Sequence, residues 1–255
     1  MSSFRNALTL ASGEAHVWLA RPEQVSSPAL CIACENVLSD EENLRRCRFR
    51  FERHRHHFLV AHALVRDTLS RYSELRPNEW VFHNNAYGRP EIANRASDLH
   101  FNLSHTDGLV ACAVSRHSEI GVDVEASART VDVRVADRYF SAPENRALLT
   151  LPASQRQSRF LQYWTLKESY IKARGMGLAL PLDGFAFSIA EGRAPDIEFL
   201  SGISDRAERW QFQLLETTPG FVLAVCLEVL DGQHAPDAKM KLKVRETVPL
   251  VDLEG

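Results

Sequence analysis

Two short stretches set acidic and basic side chains at spacings suited to chemistry on a charged substrate. In GVDVE, Asp123 and Glu125 stand two residues apart. On a β-strand both point to one face, with Val122 and Val124 on the other. Two carboxylates on one face raise the cost of ionising both. A hard divalent cation removes that cost, and oxygen donors of this kind suit Mg²⁺. The alternative is a solvated acidic face neutralised by Arg or Lys. The second stretch is WTLKESYIKARGMGL, Trp164 to Leu178. Read as a helix, it puts Trp164, Lys167, Glu168, Ile171 and Lys172 on one inward stripe. Gln162, Thr165, Ser169 and Ala173 then take the exposed face. An intrahelical Glu168–Lys172 pair contributes only about 0.2–0.5 kcal/mol. That does not offset desolvating a Glu and two Lys, whereas a site with metal and phosphate does. Lys167 and Lys172 are expected to flank such a metal and to hold phosphates as point charges.

Other polar residues are less specific. Arg89 sits in YGRP, where Gly88 allows close backbone approach; it is equally an exposed turn arginine. Ser104 and His105 end a strand just before a turn. They are not a hydrolase dyad, because adjacent strand residues face opposite ways and no GxSxG elbow is present. They remain candidate phosphate donors or ordinary turn residues. RRCRFRFERHRHH, Arg45 to His57, is the most basic run. It reads as a solvated helix face or as a site for a polyanion such as a nucleotide phosphate.

The elements that must position these groups are legible in outline. EAHVWLARPE reads as a strand. LSDEENLRRCRFRF opens a helix on Ser39 with Glu42 three residues on, a capping box. HHFLVAHALVRDTLSRY continues as a second helix. WVFHNNAYGRPEI reads as strand, turn, strand, and LHFNLSHTDGLVACAVSR as a hairpin. IGVDVE is a short strand. SAPENRALL starts a helix at Ser141 with Pro143 and Glu144 in its first turn. RQSRFLQYWTLKESYIKAR is the longest helix, ended by GMGLALP. FAFSIA, RWQFQLLE and FVLAVCLEV are strand-like. The tail from Asp231 is polar and expected to fray, with LKVRETVPLV as a candidate edge strand.

One internal echo organises the chain. HFNLSHTDGLVACAV (His100 to Val114) resembles QFQLLETTPGFVLAVC (Gln211 to Cys226), each after a long helix. This points to an α+β fold of two similar α/β halves in a pseudo-twofold arrangement, each with a small, mostly antiparallel sheet and a long helix. The expected division is residues 1–118 and 119–255, with a ligand cleft between the halves.

The bulk numbers bound the rest. The 255 residues are 45% hydrophobic and 25% charged, ordinary for a soluble domain, and the net charge of −3 gives no basic field for nucleic acid. No apolar run is long enough to span a bilayer, and MSSFRNALTLASGE lacks a signal core. Of five cysteines, Cys112 and Cys226 sit in apolar runs, which suits reduced thiols in a cytoplasmic protein. Cys31 and Cys34 form a CxxC with no second pair to complete a zinc site.

Taken together, YGRP, FNLSHTDGLVACAV, GVDVE, FSAPE and WTLKESYIKARGMGL resemble, in order and separation, the surfactin-synthetase-type 4′-phosphopantetheinyl transferases. The resemblance spans roughly Arg45 to Val225. It implies Mg²⁺ (or Mn²⁺) and coenzyme A, with transfer of the phosphopantetheine arm to a serine of an acyl or peptidyl carrier protein and release of 3′,5′-ADP. By that resemblance Asp123, Glu125 and Glu168 bind the metal, and Glu168 acts as ligand, as base, or as both. Lys172 stabilises the pyrophosphate. Arg89, Pro90, Ser104 and His105 hold the adenosine bisphosphate. Arg45 and Arg48 match basic residues near the 3′-phosphate. The chain departs from the family where an Arg is usual before the second helix: His57 stands there, preceded by Arg53 and Arg55. A monomer is expected, with neither nucleic acid nor membrane as partner. Two rival readings fit the residues alone: a metal-dependent phosphodiesterase or nuclease, and a non-enzymatic coenzyme A-binding module.

Overall fold

The computed structural model describes residues 7–94, 97–200, 202–216, 218–230 and 240–251. The chain divides into two compact units: Met1–His83 with Pro90–His117 and Lys241–Gly255, and Asn84–Arg89 with Ser118–Met240.

The first unit begins with strand β1 (Glu14–Ala20), followed by helices α1 (Pro28–Val37), α2 (Asp40–Cys47) and α3 (Glu52–Ser70). The capping box read from Ser39 and Glu42 is formed: Glu42 N–H donates to Ser39 Oγ and Ser39 N–H to Glu42 Oε2. Helix α1 has no counterpart in the sequence reading. Its N-cap Ser27 and Pro28 were available signals, and it carries both Cys31 and Cys34, whose thiols are free. Strands β2 (Phe82–Asn84) and β3 (Pro90–Ile92) form a two-stranded ribbon, and β4 (Leu99–Thr106) and β5 (Leu109–Arg116) are the expected hairpin.

The second unit repeats this order. Strand β6 (Ile120–Ala126) leads through α4 (Ala136–Tyr139) and α5 (Ala142–Thr150) to the 22-residue α6 (Ala153–Arg174). A ribbon of β7 (Phe185–Ser188) and β8 (Asp196–Phe199) follows, then the hairpin β9 (Trp210–Leu215) and β10 (Phe221–Glu228). The sheets run β1-β5-β4 and β6-β10-β9 with all pairs antiparallel. Each unit is therefore strand, long helix, ribbon, hairpin, as the echo between the hairpins suggested. The first unit adds β11 (Lys241–Glu246) alongside β1 in parallel register. This is the edge strand expected from LKVRETVPLV; the expected fraying falls largely on residues 231–239, outside the described residues.

In the first unit, α3 packs on the sheet through Leu59, Ala63, Leu64 and Leu69, against Trp18, Val110 and Cys112. In the second, α6 lies between two layers. One is the sheet, met through β6 and β10; the other is α5 with β7. Thr165, Ser169 and Ala173, expected on an exposed face, are all 0% exposed. The helical wheel failed here because it allowed α6 only one buried side. Thr165 and Ser169 satisfy their hydroxyls within the helix, donating to the carbonyls of Leu161 (2.6 Å) and Leu166 (2.8 Å). These small residues let α6 approach β6 at Gly121, where a β-carbon would lie 1.9 Å from the Ser169 carbonyl oxygen and 2.6 Å from the Ala173 nitrogen.

Lys167 is also displaced from its expected place beside a phosphate. It is 0% exposed, on the side of α6 away from the sheet. Its Nζ donates to the carbonyls of Leu182 and Phe185, both at 2.6 Å, and pairs with Glu144 at 2.8 Å. Glu144 in turn accepts from Ser141 N–H, Ser141 Oγ and Phe187 N–H. Burial pulls the Lys167 amine down and Glu144 opposes that. A buried charge persists only when paired and hydrogen-bonded, and this pair ties α6 to the start of α5 and to β7.

Two outcomes follow from this packing. Gly121→Ala pushes backbone against backbone and should lower stability by about 2–3 kcal/mol in urea denaturation. Lys167→Met should cost about 3–5 kcal/mol, with a good part recovered in the Lys167→Met/Glu144→Gln double variant. A single variant as stable as the parent would show the pair to be dispensable.

Candidate active site

Gly121, Asp123 and Glu125 alternate onto one face of β6, and Gly121 shows that this is the face met by α6. Asp123 is 5% exposed and Glu125 9% exposed, while Val122 and Val124 are buried on the opposite face. The two-residue spacing read from GVDVE thus places both carboxylates toward the helix. Their partners across the ladder are small or apolar, Ala224 for Asp123 and Val222 for Glu125.

Helix α6 contributes Glu168 and Lys172, on a line with Trp164 beside the small-residue stripe. All three are half-buried. Trp164 packs on Phe160, with rings stacked at 6.2 Å, and meets the edge of Tyr139. Lys172 Nζ donates to Asp123 Oδ1 at 2.6 Å. Arg129, half exposed, pairs with Glu125. Burial pushes the Glu168 carboxyl above the usual range; Asp123 adds to the rise, Lys172 partly offsets it, and Glu125 adds again. Glu168 therefore feels both strand carboxylates, and its raised proton affinity suits it to accept a proton.

The end of α6 is fixed from two sides. Gly175 closes it at φ +63°, a conformation glycine adopts without strain, and its N–H donates to the carbonyls of Ile171 and Lys172. Asp205, its side chain 1% exposed, accepts from Tyr170 Oη (2.8 Å) and Trp210 Nε1 (2.9 Å) and pairs with Arg174. Sequence reasoning missed this acidic hub, since a lone Asp in a loop carries no spacing signal. On another side, Arg89 Nη1 donates to the Ala173 carbonyl at 2.8 Å and Nη2 pairs with Glu119 at 2.6 Å. Arg89, expected at a phosphate, is thus engaged with the helix end, its side chain 11% exposed.

The remaining candidates lie in the first unit. Ser104 is buried and His105 exposed, on opposite faces of β4; Pro90 opens β3. Arg45 and Arg48 are exposed, at and just beyond the last turn of α2, and the Arg45 guanidinium stands 5.7 Å from the Phe58 ring centre. Burial lowers the His57 pKa and Asp107 raises it. Of the basic residues before His57, Arg55 donates to Glu52 (2.8 Å) and to the Phe49 carbonyl (3.1 Å), while Arg53 lies exposed over Phe51.

Among the described residues, no three His, Cys, Asp or Glu side chains are already gathered to hold a metal ion. Asp123 and Glu125 are turned to Lys172 and Arg129 instead. The donor set nevertheless fits a hard divalent cation: three carboxylates, two on one strand face and a third whose proton affinity responds to both. Among the described residues no helix is long and apolar enough to cross a membrane.

Comparison with known proteins bears on this arrangement. Residues 119–226 match the model of the 4′-phosphopantetheinyl transferase superfamily, and residues 24–117 match that of the 4′-phosphopantetheinyl transferase N-terminal region. The chain is 38% identical over 175 residues to the 4′-phosphopantetheinyl transferase HetI of Nostoc sp., covering 68% of this chain and 73% of that one. It is 32% identical over 207 residues to the 4′-phosphopantetheinyl transferase Sfp of Bacillus subtilis, covering 76% and 89%. Among solved structures, the Thermotoga maritima holo-[acyl-carrier-protein] synthase matches at 23% identity and a TM-score of 0.35, over 43% of this chain and 62% of that one. On the curated relatives and the two family models, the chain belongs to the 4′-phosphopantetheinyl transferases, of the surfactin-synthetase type, and is an enzyme of that class.

Proposed function

We propose that this enzyme transfers the 4′-phosphopantetheine arm of coenzyme A, with Mg²⁺ or Mn²⁺, to a serine hydroxyl of an acyl or peptidyl carrier protein, releasing 3′,5′-ADP. The observation that carries this reading is the meeting of Asp123 and Glu125 on β6 with Glu168 and Lys172 on α6. Family membership replaces the hydrolase and the non-enzymatic readings raised from the residues alone.

Asp123, Glu125 and Glu168 would hold the cation, which when bound neutralises charge on the pyrophosphate oxygens. The serine oxygen forms a bond to the phosphorus that bears the pantetheine arm, and the bond from that phosphorus to the leaving bisphosphate breaks. Glu168 takes the serine proton, a task for which its raised proton affinity fits it. Lys172, which donates to Asp123 here, would place its ammonium on the pyrophosphate and the departing bisphosphate. In the first unit, Ser104, His105 and Pro90 would bind the adenosine bisphosphate. Arg45 and Arg48, with Arg53, Arg55 or His57 in place of the family's usual Arg, would bind the 3′-phosphate. Arg89 belongs to the same proposed set through YGRP, with its guanidinium also bracing α6. Five free cysteines are in keeping with a reducing cytoplasm, and the proposal includes a monomer.

The test is to incubate the protein with coenzyme A, Mg²⁺ and an apo carrier domain and to weigh the carrier. A gain equal to one phosphopantetheine arm is expected. No gain with several unrelated carriers would overturn the proposed acceptor. Asp123→Ala should lower kcat at least about 100-fold, the scale of losing metal-centred charge stabilisation, while leaving thermal unfolding close to wild type. Near-normal turnover would remove Asp123 from the metal site.

A further inference from the structure

The turn between β2 and β3 belongs to the second unit, and Asn85 organises it. Asn85 Oδ1 accepts from the N–H groups of Tyr87 (2.9 Å) and Arg89 (3.0 Å). Asn85 N–H donates to the Arg89 carbonyl at 2.9 Å, and Gly88 N–H to the Asn85 carbonyl at 3.0 Å. One half of the Asn85 amide therefore closes its own turn. The other half points elsewhere: Nδ2 donates to the carbonyl of Gly175 at 3.0 Å. Arg89 reaches the Ala173 carbonyl in the same turn of helix. Carbonyls at a helix C-terminus have no donor within the helix, so these two side chains supply one from outside. The fit is close, since a β-carbon on Gly175 would lie 2.9 Å from Arg89 Cδ and 3.1 Å from Asn85 Nδ2.

Lys172 lies in that last turn, and its Nζ reaches Asp123 at 2.6 Å. We propose that Asn85 is a positioning residue for the transfer reaction: its amide nitrogen anchors the C-terminal turn of α6 and so fixes where the Lys172 ammonium stands. The inference rests on the role proposed above for Lys172. Asn85 itself touches neither substrate nor metal in this account. It works through one hydrogen bond to Gly175, and the YGRP turn it closes is thereby fastened to the helix that carries Glu168 and Lys172.

Asn85→Asp tests this directly, because it keeps the oxygen that closes the turn and removes the donor to Gly175. Steady-state kinetics should show kcat down about tenfold with KM for coenzyme A within about twofold of wild type, the pattern of an interaction acting in the transition state. Asn85→Ser, which also keeps a turn-closing oxygen without the amide donor, should behave alike if the aspartate variant folds poorly. The deciding measurement is the same substitution in a Lys172→Ala background. There it should change kcat less than about twofold, since residues acting as one unit are not additive. An equal tenfold loss in both backgrounds would mark a general structural role and overturn the proposal. So would a wild-type kcat for both Asn85 variants, or a raised KM with kcat unchanged. Lys172→Ala at the wild-type rate would instead overturn the role of Lys172, and this inference with it.

Discussion

The backbone of α6 lies so near β6 that there is no room for a β-carbon at Gly121, 1.9 Å from the Ser169 carbonyl. The rest of the second unit depends on that approach. It requires the stripe of Thr165, Ser169 and Ala173 to be small and buried, and their hydroxyls to be satisfied inside the helix. It sets Asp123, two residues along the strand from Gly121, within a hydrogen bond of Lys172. A helix held even one side chain further out would separate the strand carboxylates from Glu168. Close backbone packing is thus the condition for electrostatic contact between β6 and α6.

Charge in this unit is distributed by layer. On the sheet side of α6, acidic groups outnumber their cationic partners: Asp123 with Lys172, Glu125 with Arg129, and Glu168 with its proton affinity raised by burial and by both neighbours. That imbalance favours an added cation. On the opposite side, Lys167 and Glu144 form a closed pair with every donor directed at a named acceptor. The two lysines of one helix therefore do different work. One neutralises a carboxylate at the proposed metal site; the other secures the helix to the layer behind it. Asp205 and the Asn84–Arg89 turn fix the last turn of α6 from further directions.

Much of this was legible in the residues, and the exceptions have physical causes. The period-two spacing of Asp123 and Glu125 predicted their common face, because a strand alternates strictly. The capping box at Ser39, and Ser141 with Pro143 and Glu144 after it, marked helix starts, since such signals are local. The echo between the two hairpins revealed the repeated order of elements. Lys167 and the Thr165 stripe were misread for one reason: a helical wheel assigns one buried face, and α6 has two. Arg89 read from its turn equally as an exposed arginine, and its phosphate role came only from the resemblance; its contacts with Ala173 and Glu119 are long-range and leave no trace in local spacing. Asn85 and Asp205 were invisible for the same reason. Helix α1 was missed although Ser27 and Pro28 signalled it.

The central claim is that Asp123, Glu125 and Glu168 form one divalent-cation site. It is tested most directly by titrating Mn²⁺ into the protein with coenzyme A present and following free Mn²⁺ by electron paramagnetic resonance. The account predicts one bound ion per chain, and at least about tenfold weaker binding in Glu125→Gln, a variant that should remain folded. Mn²⁺ affinity unchanged by Glu125→Gln, or no stoichiometric binding to the wild type, would contradict it.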